Sequence, residues 1–275
     1  MEMPNVPLGQ WPIKTIIKKR RYIEVTKKFW IGHGAALLWL LFSIIVSVPW
    51  LNDLGALIGK PLAFILIAGI GYIPGYINMF IAVSLLFDRQ PQFKTTNPTD
   101  PVTIIIACRN EEKSIGHTLR YIKGQDYQGL IRVIVVDNAS IDKTAETAQK
   151  AGEDLGIDIQ VLFEEKPGKY NALNKALEHV NTEYAVTLDA DTLLHKSAIR
   201  YLVSRIKSAP REVCAVAGAV LVRNSRENLL TRLQEWDYFL GIASIKRMQG
   251  LYQGTLVAQG AYSLYRAEAL REAGG

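Results

Sequence analysis

The sequence predicts an α/β fold preceded by two long apolar helices. Two runs without a fixed charge, at 30–52 and 61–87, come first in the chain. From Val102 onward, short β-branched runs alternate with helical patterns of about 10–15 residues, which is typical of βαβ crossovers and a mostly parallel sheet covered on both faces. A chain of 275 residues has room for both parts, and its composition is that of an ordered globular protein.

The N-terminal segment, residues 1–28, carries most of the net charge. It holds seven Lys and Arg residues against two Glu, a local charge of +5 out of the chain's formal +6. A nucleic-acid binder needs a basic face on its folded domain. Because the rest of the chain is close to neutral, we expect no nucleic-acid partner. The segment fits either an amphipathic helix on an anionic leaflet or a disordered basic arm.

The two apolar runs are predicted to cross a lipid bilayer, within a membrane region at 29–87. Each exceeds the roughly 20 residues that a helix needs for this. A pair of buried core helices is the alternative, although such helices seldom stay apolar for so long. A signal peptide fits poorly because the charged region is long and no small-residue cleavage site precedes Asn52.

The charges beside the two runs predict their orientation. The basic flank lies before the first run, whereas the connecting turn 53–60 has one charge of each sign. The positive-inside rule then places the N-terminus and everything after the second run in the cytoplasm. We therefore expect a multi-pass protein of the plasma (inner) membrane. Gly69, Gly71, Pro74 and Gly75 predict a kink in the second run or close packing against a neighbouring helix.

Residues 88–101 are predicted to be a linker because they contain three prolines and no apolar periodicity. The α/β domain then covers residues 102–275. Ligands of such sheets bind beyond the carboxyl ends of the strands. Polar residues follow the first, second and fourth predicted strands at 108–112, 137–140 and 189–191. Neither GxGxxG nor GxxxxGK[ST] occurs, so a nucleotide site built from carboxylates and a divalent metal is the remaining interpretation.

Four motifs occur at these places: ACRNEE at 107–112, VVDNAS at 135–140, KPGKYNALNKAL at 166–177 and LDAD at 188–191. With them, the chain resembles the family 2 glycosyltransferases, specifically the membrane-embedded branch of cellulose, hyaluronan and poly-N-acetylglucosamine synthases. The resemblance covers Pro101 to Gly275, and Gln125-Asp126-Tyr127 matches the family's Q-x-Y. It implies a Rossmann-like domain of the glycosyltransferase A type.

The resemblance also implies how the donor nucleotide is bound. Asp137 would be the acidic residue on the uracil side, and Lys169 would reach the nucleotide or its phosphates. Asn110 and Glu111 would line the nucleoside pocket.

The Asp-Ala-Asp sequence is the expected metal site. The i, i+2 spacing of Asp189 and Asp191 on an extended segment points both carboxylates the same way, one towards ribose and one towards metal. A Mg²⁺ or Mn²⁺ ion held by Asp191 with Asp189 would neutralise the departing diphosphate as a Lewis acid. An ordinary surface turn is the alternative interpretation.

Two segments are expected on the acceptor side. Within 228–250, Trp236 lies on one helical stripe with three leucines. In the family the matching helix lies along the membrane face and helps to position the acceptor, although a packed core helix fits this sequence equally well. Gln259 and Gly260 would lie near the acceptor end. Many relatives have Ser or Cys before this glycine, so the acceptor's identity stays open.

The leading functional prediction is a membrane-bound, inverting glycosyltransferase that transfers a sugar from a UDP-sugar to a growing polysaccharide or lipid-linked acceptor. A lipid-phosphate glycosyltransferase and a non-catalytic, membrane-anchored nucleotide-sugar binding fragment are the alternatives. Relatives carry a Thr-Glu-Asp motif with the catalytic base and then a QxxRW motif. The sequence ends at Gly275 before either of them, so we expect a truncated member, and no catalytic residue is assigned.

Overall fold

The computed structural model describes residues 22–87, 92–252, 254 and 258–274. The prediction for the basic segment before Tyr22 lies outside these residues. A helical hairpin comes first: α1 covers Val25–Ile58, α2 covers Lys60–Ile67, a π-helical stretch covers Ala68–Tyr72, and α3 covers Ile73–Leu86. The last three form one continuous rod that runs back along α1.

A single residue, Gly59, turns the chain between α1 and α2. The sequence predicts a turn over 53–60, but α1 continues to Ile58 and α2 begins at Lys60. Gly59 has φ 86°, a backbone region that side chains rarely adopt, so glycine permits the reversal. Pro61 follows in the first turn of α2, where its missing N–H leaves no hydrogen bond unmade. The predicted loop is therefore mostly helix.

In the described part of the chain, these two rods are the helices long and apolar enough to cross a membrane. The most apolar windows of Val25–Ile58 and Lys60–Leu86 have mean hydropathies of 2.1 and 1.7. Only 11% and 6% of the residues in these two stretches are buried within the protein, which argues against a pair of core helices. The rods pack closely where Gly75 meets the Trp39 ring, since a Cβ at Gly75 would lie 3.3 Å from Trp39 Nε1. Close packing is thus what this glycine provides.

Six strands form one sheet in the order β3-β2-β1-β4-β6-β5. The first four strands are parallel, while β6 runs antiparallel to β4 and β5 runs antiparallel to β6. The strands are β1 Val102–Cys108, β2 Ile131–Asp137, β3 Asp158–Phe163, β4 Tyr184–Asp189, β5 Ala215–Ala217 and β6 Tyr262–Arg266. The predicted parallel sheet is confirmed, with an antiparallel pair added at one side.

Helices cover both faces of this sheet. The buried side chains of β1 alternate, with Ile104 and Ile106 facing one apolar cluster and Ile105 facing the other. Helices α4, α5 and α7 pack into the first cluster, and α6 and α10 pack into the second. The helices after the hairpin are α4 Ile115–Lys123, α5 Thr144–Leu155, α6 Lys169–Glu178, α7 Ala198–Ser208, α8 Leu229–Leu240, α9 Arg247–Leu251 and α10 Ala267–Glu272, with a π-helical stretch at Gly241–Lys246 between α8 and α9.

The described part of the predicted linker, 92–101, has no helix or strand, yet it is fixed along α7. The Phe93 ring lies under the Arg205 guanidinium at 4.4 Å. The Lys94 N–H donates to Ser208 Oγ at 2.7 Å, and Lys207 forms an ion pair with Asp100 at 2.6 Å. Residues 92–101 are therefore attached to the surface of the α/β domain.

The Q-x-Y sequence serves this same packing. The Gln125 side chain donates to the His195 carbonyl at 3.0 Å and accepts from the Ile199 N–H at 3.1 Å, at the start of α7. The Tyr127 hydroxyl donates to the Asp100 carbonyl at 2.5 Å. These residues join the end of α4 to the start of α7 and to the segment before β1.

Candidate functional site

The strand register brings the predicted donor-side residues to one edge of the sheet. Cys108 pairs with Asp137, Asp137 pairs with Phe163, and Ala107 pairs with Asp189. Asp137 and Asp189 therefore end the two strands on either side of β1. Because these strands are parallel, their carboxyl ends open towards the same space, where ligands of such sheets bind.

Asn110 ties the loop after β1 to the loop after β2. Its N–H donates to Ser140 Oγ at 3.0 Å, and its Oδ1 accepts from the Ile141 N–H at 2.9 Å. Asn110 and Ala139 have positive φ values of 59° and 55°. For alanine this backbone region costs about 1 kcal/mol or more, so the hydrogen bonds around it must hold it in place. Such held, strained residues often lie at functional sites.

Glu111 and Glu112 continue this connection towards α5. The Glu111 N–H donates to Thr144 Oγ1 at 2.8 Å, and the Glu111 carboxylate accepts from the Ser114 hydroxyl. The Glu112 N–H donates to Asp142 Oδ2 at 3.2 Å. A hydrogen bond from the Thr144 hydroxyl, helped by backbone N–H groups, lowers the pKa of Asp142 below its ordinary value. That Asn110 and Glu111 also contact a nucleoside stays a prediction.

The sequence gives no role to Asn138, which organises the next loop. The side chain is buried; its Nδ2 donates to the Glu164 carbonyl at 3.1 Å and to the Lys166 carbonyl at 2.8 Å. Its Oδ1 accepts from the Gly168 N–H at 2.7 Å, and its own N–H donates to the Cys108 carbonyl at 2.8 Å. Gly168, at φ 136°, then starts α6 and presents Lys169. The only signal in the sequence is an amide directly after the acidic end of β2.

Lys169 and Asp189 meet directly across the site as an ion pair. The main chain of the Asp-Ala-Asp segment is held on two sides. The Asp189 N–H donates to the Ala261 carbonyl at 3.0 Å, and the Thr118 hydroxyl donates to the Ala190 carbonyl at 2.7 Å. Asp191 is exposed. The segment is therefore a braced turn that carries one paired and one open carboxylate.

These carboxylates suit a metal that arrives with a diphosphate. Among the described residues, no three His, Cys, Asp or Glu side chains group closely enough to hold a metal ion by themselves. Mg²⁺ usually keeps one or two carboxylates and takes its other ligands from phosphates and water. Asp189 and Asp191 supply oxygen ligands of that kind, so the residues present fit such an ion.

An open cleft of about 730 Å³ lies beside Asp137. Phe163, Ser140 and Glu164 are among its walls, whereas Asn110, Glu111, Lys169 and Asp189 are outside its lining. A cavity of this size is within the range of small-molecule sites. The structure therefore places Asp137 in the cleft and the Lys169–Asp189 pair apart from it.

Where the sequence predicts the acceptor side, α8 has no buried residue, so it is not a packed core helix. Trp236 is 63% exposed and contacts the Phe239 ring. Gln259 and Gly260 immediately precede Ala261, whose carbonyl is bonded to Asp189. The Gln259 carbonyl accepts from Ser263 Oγ at 2.7 Å. The structure thus brings Gln259 and Gly260 to the donor residues, while Trp236 lies on an exposed helix.

Comparison with known proteins agrees with the predicted family. The family model "Glycosyl transferase family 2" matches residues 103–274. A poly-β-1,6-N-acetyl-D-glucosamine synthase of Staphylococcus aureus is 30% identical over 205 residues, which are 74% of this chain and 48% of the relative. Its Staphylococcus epidermidis counterpart is 29% identical over 207 residues, with the same coverage. The chain spans about half the length of these curated relatives.

A solved structure confirms the fold class. A mannosyltransferase from Pyrobaculum calidifontis, solved with GDP-Man and Mn²⁺, superposes with a TM-score of 0.56 at 24% identity. The superposition covers 72% of this chain and 54% of the mannosyltransferase. Its fold agrees with the predicted glycosyltransferase A-type domain, and the poly-N-acetylglucosamine synthases agree with the predicted polysaccharide-synthase branch. With the family model matching most of its length, the chain belongs to glycosyl transferase family 2.

Proposed function

We propose that this chain binds a UDP-sugar and belongs to a membrane-bound, inverting glycosyltransferase that extends a polysaccharide or a lipid-linked acceptor. The observation that carries this proposal is that one edge of the sheet holds Asp137, the Lys169–Asp189 pair and the braced Asp-Ala-Asp turn. The names of the curated relatives make an N-acetylglucosamine polymer the first product to test.

Each donor-side residue has a chemical task in this proposal. Asp137, almost fully buried beside the cleft, accepts hydrogen bonds from the uracil side of the nucleotide. Lys169 is half exposed and pairs with Asp189. When the donor enters, the Lys169 ammonium group leaves Asp189 and binds the diphosphate, because a phosphate is a stronger anionic partner. Ordered loops around both residues spare the donor the cost of arranging them.

Asp189 and Asp191 are the residues that would hold a divalent ion. When bound, this ion supplies a Lewis acid for the negative charge that develops on the leaving diphosphate. In-line attack with inversion also needs a base that takes the acceptor's proton. Among the described residues we assign this role to none, so the donor half of the reaction is the half proposed for this chain.

UDP binding to the full chain in lipid nanodiscs tests the donor site. We expect tighter binding with Mn²⁺ or Mg²⁺ than without, and we expect Asp191→Ala to erase most of this difference, about a few kcal/mol. Asp154→Ala, an exposed carboxylate on α5, is the matched control and should keep the metal effect. Metal-independent UDP binding that Asp191→Ala leaves unchanged would contradict the assigned role.

The hairpin is proposed to span the plasma (inner) membrane, with the start of α1 and the end of α3 both on the cytoplasmic side. Its apolar side chains are largely exposed, including Leu38, Ile45 and Ile65 at 69%, 71% and 64%. A short tag inserted at Gly59, in the turn between the rods, should react with an impermeant reagent on intact cells. Reaction only after the cells are permeabilised would contradict this orientation.

A further inference from the structure

The end of α9 docks into the open end of the hairpin. Four side chains there, Lys28, Phe29, Phe80 and Ser84, form what we call the hairpin notch. The Tyr252 hydroxyl and Ser84 Oγ are 2.9 Å apart, and the Tyr252 ring stacks on Phe80 at 5.7 Å with an interplanar angle of 13°. Phe29 meets the Tyr252 ring edge-on, at 6.1 Å and 89°. Tyr252 is therefore held by two rings and one hydrogen bond.

Next to Tyr252, a buried ammonium group joins the two parts. Lys28 is 1% exposed, and its Nζ donates to the Leu251 carbonyl at 2.8 Å. Leu251 itself is 2% exposed. Taking an ammonium group out of water is unfavourable unless it is hydrogen-bonded, so this contact depends on Leu251 staying in place.

The notch also needs a glycine behind it. A Cβ at Gly32 would lie 3.0 Å from the Phe80 ring and 3.5 Å from Ser84 Oγ. An alanine there would displace the Phe80 ring, on which Tyr252 stacks. Gly32 therefore leaves the Phe80 ring its space in the notch, and it can be substituted while Tyr252 stays unchanged.

A second attachment lies nine residues further along the chain. The Ala261 carbonyl accepts from the Asp189 N–H at 3.0 Å, and the next residue, Tyr262, pairs with Leu188 in the sheet. Gln259 and Gly260 lie between the attachments at Tyr252 and Ala261. Nine residues span at most about 30 Å when fully extended, so the two attachments limit the positions that Gln259 and Gly260 can take.

We propose that Tyr252 is a positioning residue that fixes the segment 258–261 between the hairpin and the Asp-Ala-Asp turn. This inference rests on the proposed function and on the sequence prediction that Gln259 and Gly260 lie near the acceptor end. Tyr252 acts through the segment and leaves donor binding alone, because the residues of the donor edge are braced within the sheet. Its loss should therefore separate acceptor binding from donor binding.

The test uses the full chain in nanodiscs with Cys214→Ser, since Cys108 is 1% exposed and does not label. Spin labels at Leu86→Cys, on the exposed end of α3, and Ala258→Cys report the distance between hairpin and segment. We expect one narrow distribution in the parent, a broad one in Tyr252→Ala, and recovery of the narrow one in Tyr252→Phe, which keeps the stacked ring. Phe42→Ala, 55% exposed on the hairpin, is the control and should leave the distribution narrow.

Two ligands separate this inference from the proposed function. The affinity for UDP should change less than twofold in Tyr252→Ala, whereas the affinity for an N-acetylglucosamine pentasaccharide should fall at least fivefold. Gly32→Ala, which keeps Tyr252, should show the same two affinity changes. This second variant keeps the test valid if Tyr252→Ala fails to fold. A distribution that stays narrow in both variants would overturn the positioning role. Absence of UDP binding in the parent would overturn the proposed function, while the distance measurements would still decide the role of Tyr252.

Discussion

The proposed donor half and the proposed acceptor half of the candidate site are held in different ways. At the donor edge, Asn138, Ser140 and Thr118 form hydrogen bonds to main-chain atoms or to neighbouring strand ends, within one sheet. On the acceptor side, α8 has no buried residue, and the chain after it is attached through Tyr252 and Ala261. The sheet and its loops thus arrange the proposed donor residues, while the proposed acceptor residues Gln259 and Gly260 lie between attachments to the hairpin and to the sheet.

Within the proposed donor half, the largest effect is expected from removing the Asn138 amide, which braces the loops at the carboxyl ends of the strands. Asn138→Ala leaves three main-chain groups without their side-chain partner, and we expect it to lower the free energy of unfolding by about 2–4 kcal/mol. Denaturant unfolding of the full chain, with UDP affinity measured alongside, checks this.

Asn171→Ala is the matched control for that experiment. Its Nδ2 also donates to two carbonyls of the same loop, Lys166 at 3.3 Å and Pro167 at 3.1 Å, but these hydrogen bonds are exposed. We expect a loss below about 1 kcal/mol, because water replaces exposed hydrogen bonds. Equal losses in the free energy of unfolding of both variants would show that the burial of the Asn138 hydrogen bonds adds nothing to stability.

A smaller effect is expected from Lys169. Lys169→Met removes the ammonium that pairs with Asp189 and leaves that carboxylate to repel a diphosphate. We expect UDP to bind about tenfold more weakly, which is about 1.4 kcal/mol. Isothermal titration with and without Mn²⁺ provides the measurement. Lys175→Met, which loses a looser pair with Glu164 at 3.7 Å, should keep the parent affinity; a tenfold loss there would indicate a general effect of charge.

The smallest effect is expected on α8. Leu233 is 57% exposed, so Leu233→Ala should change the free energy of unfolding of the detergent-solubilised chain by less than about 0.5 kcal/mol. Leu188→Ala, the same change at 2% exposure in β4, should cost about 2–5 kcal/mol. Thermal unfolding of both variants checks the contrast. A large loss at Leu233 would mean that α8 packs into the folded chain.

The sequence predicts the donor edge well because its signals are local. An apolar run that ends in an acidic residue marks a strand end, and parallel strands collect their ends at one edge, so the sequence alone places Asp137 and Asp189 there. The role of Asn138 is not predictable in this way, since an amide after an aspartate is equally suited to a plain turn. The antiparallel strand β6 also escapes the sequence pattern, because its pairing with β4 joins residues far apart in the chain.

The hairpin shows the same limit. Its two apolar runs are visible in the sequence, but the pattern predicts a turn over 53–60, whereas the turn is formed at Gly59 alone. A helical pattern does not show where it stops when apolar residues continue through the turn, as they do at Leu54, Leu57 and Ile58. Tyr252 and Ser84 are separated by 168 residues, so their contact has no sequence signal.

The one-residue turn at Gly59 fixes the distance between the two rods of the hairpin at one end. The two rods are pinned together at that end, so any splaying motion must grow along their length and be greatest at the opposite tips. A helix of 34 residues is about 50 Å long, so a splay of about 5° would move its far tip by about 4 Å. That tip carries Lys28, which donates to the Leu251 carbonyl, and Phe29, against which the Tyr252 ring packs. If the hairpin spans a membrane as proposed, the thickness or lateral pressure of the lipid would act on the two rods and would be amplified into a displacement at Leu251 and Tyr252.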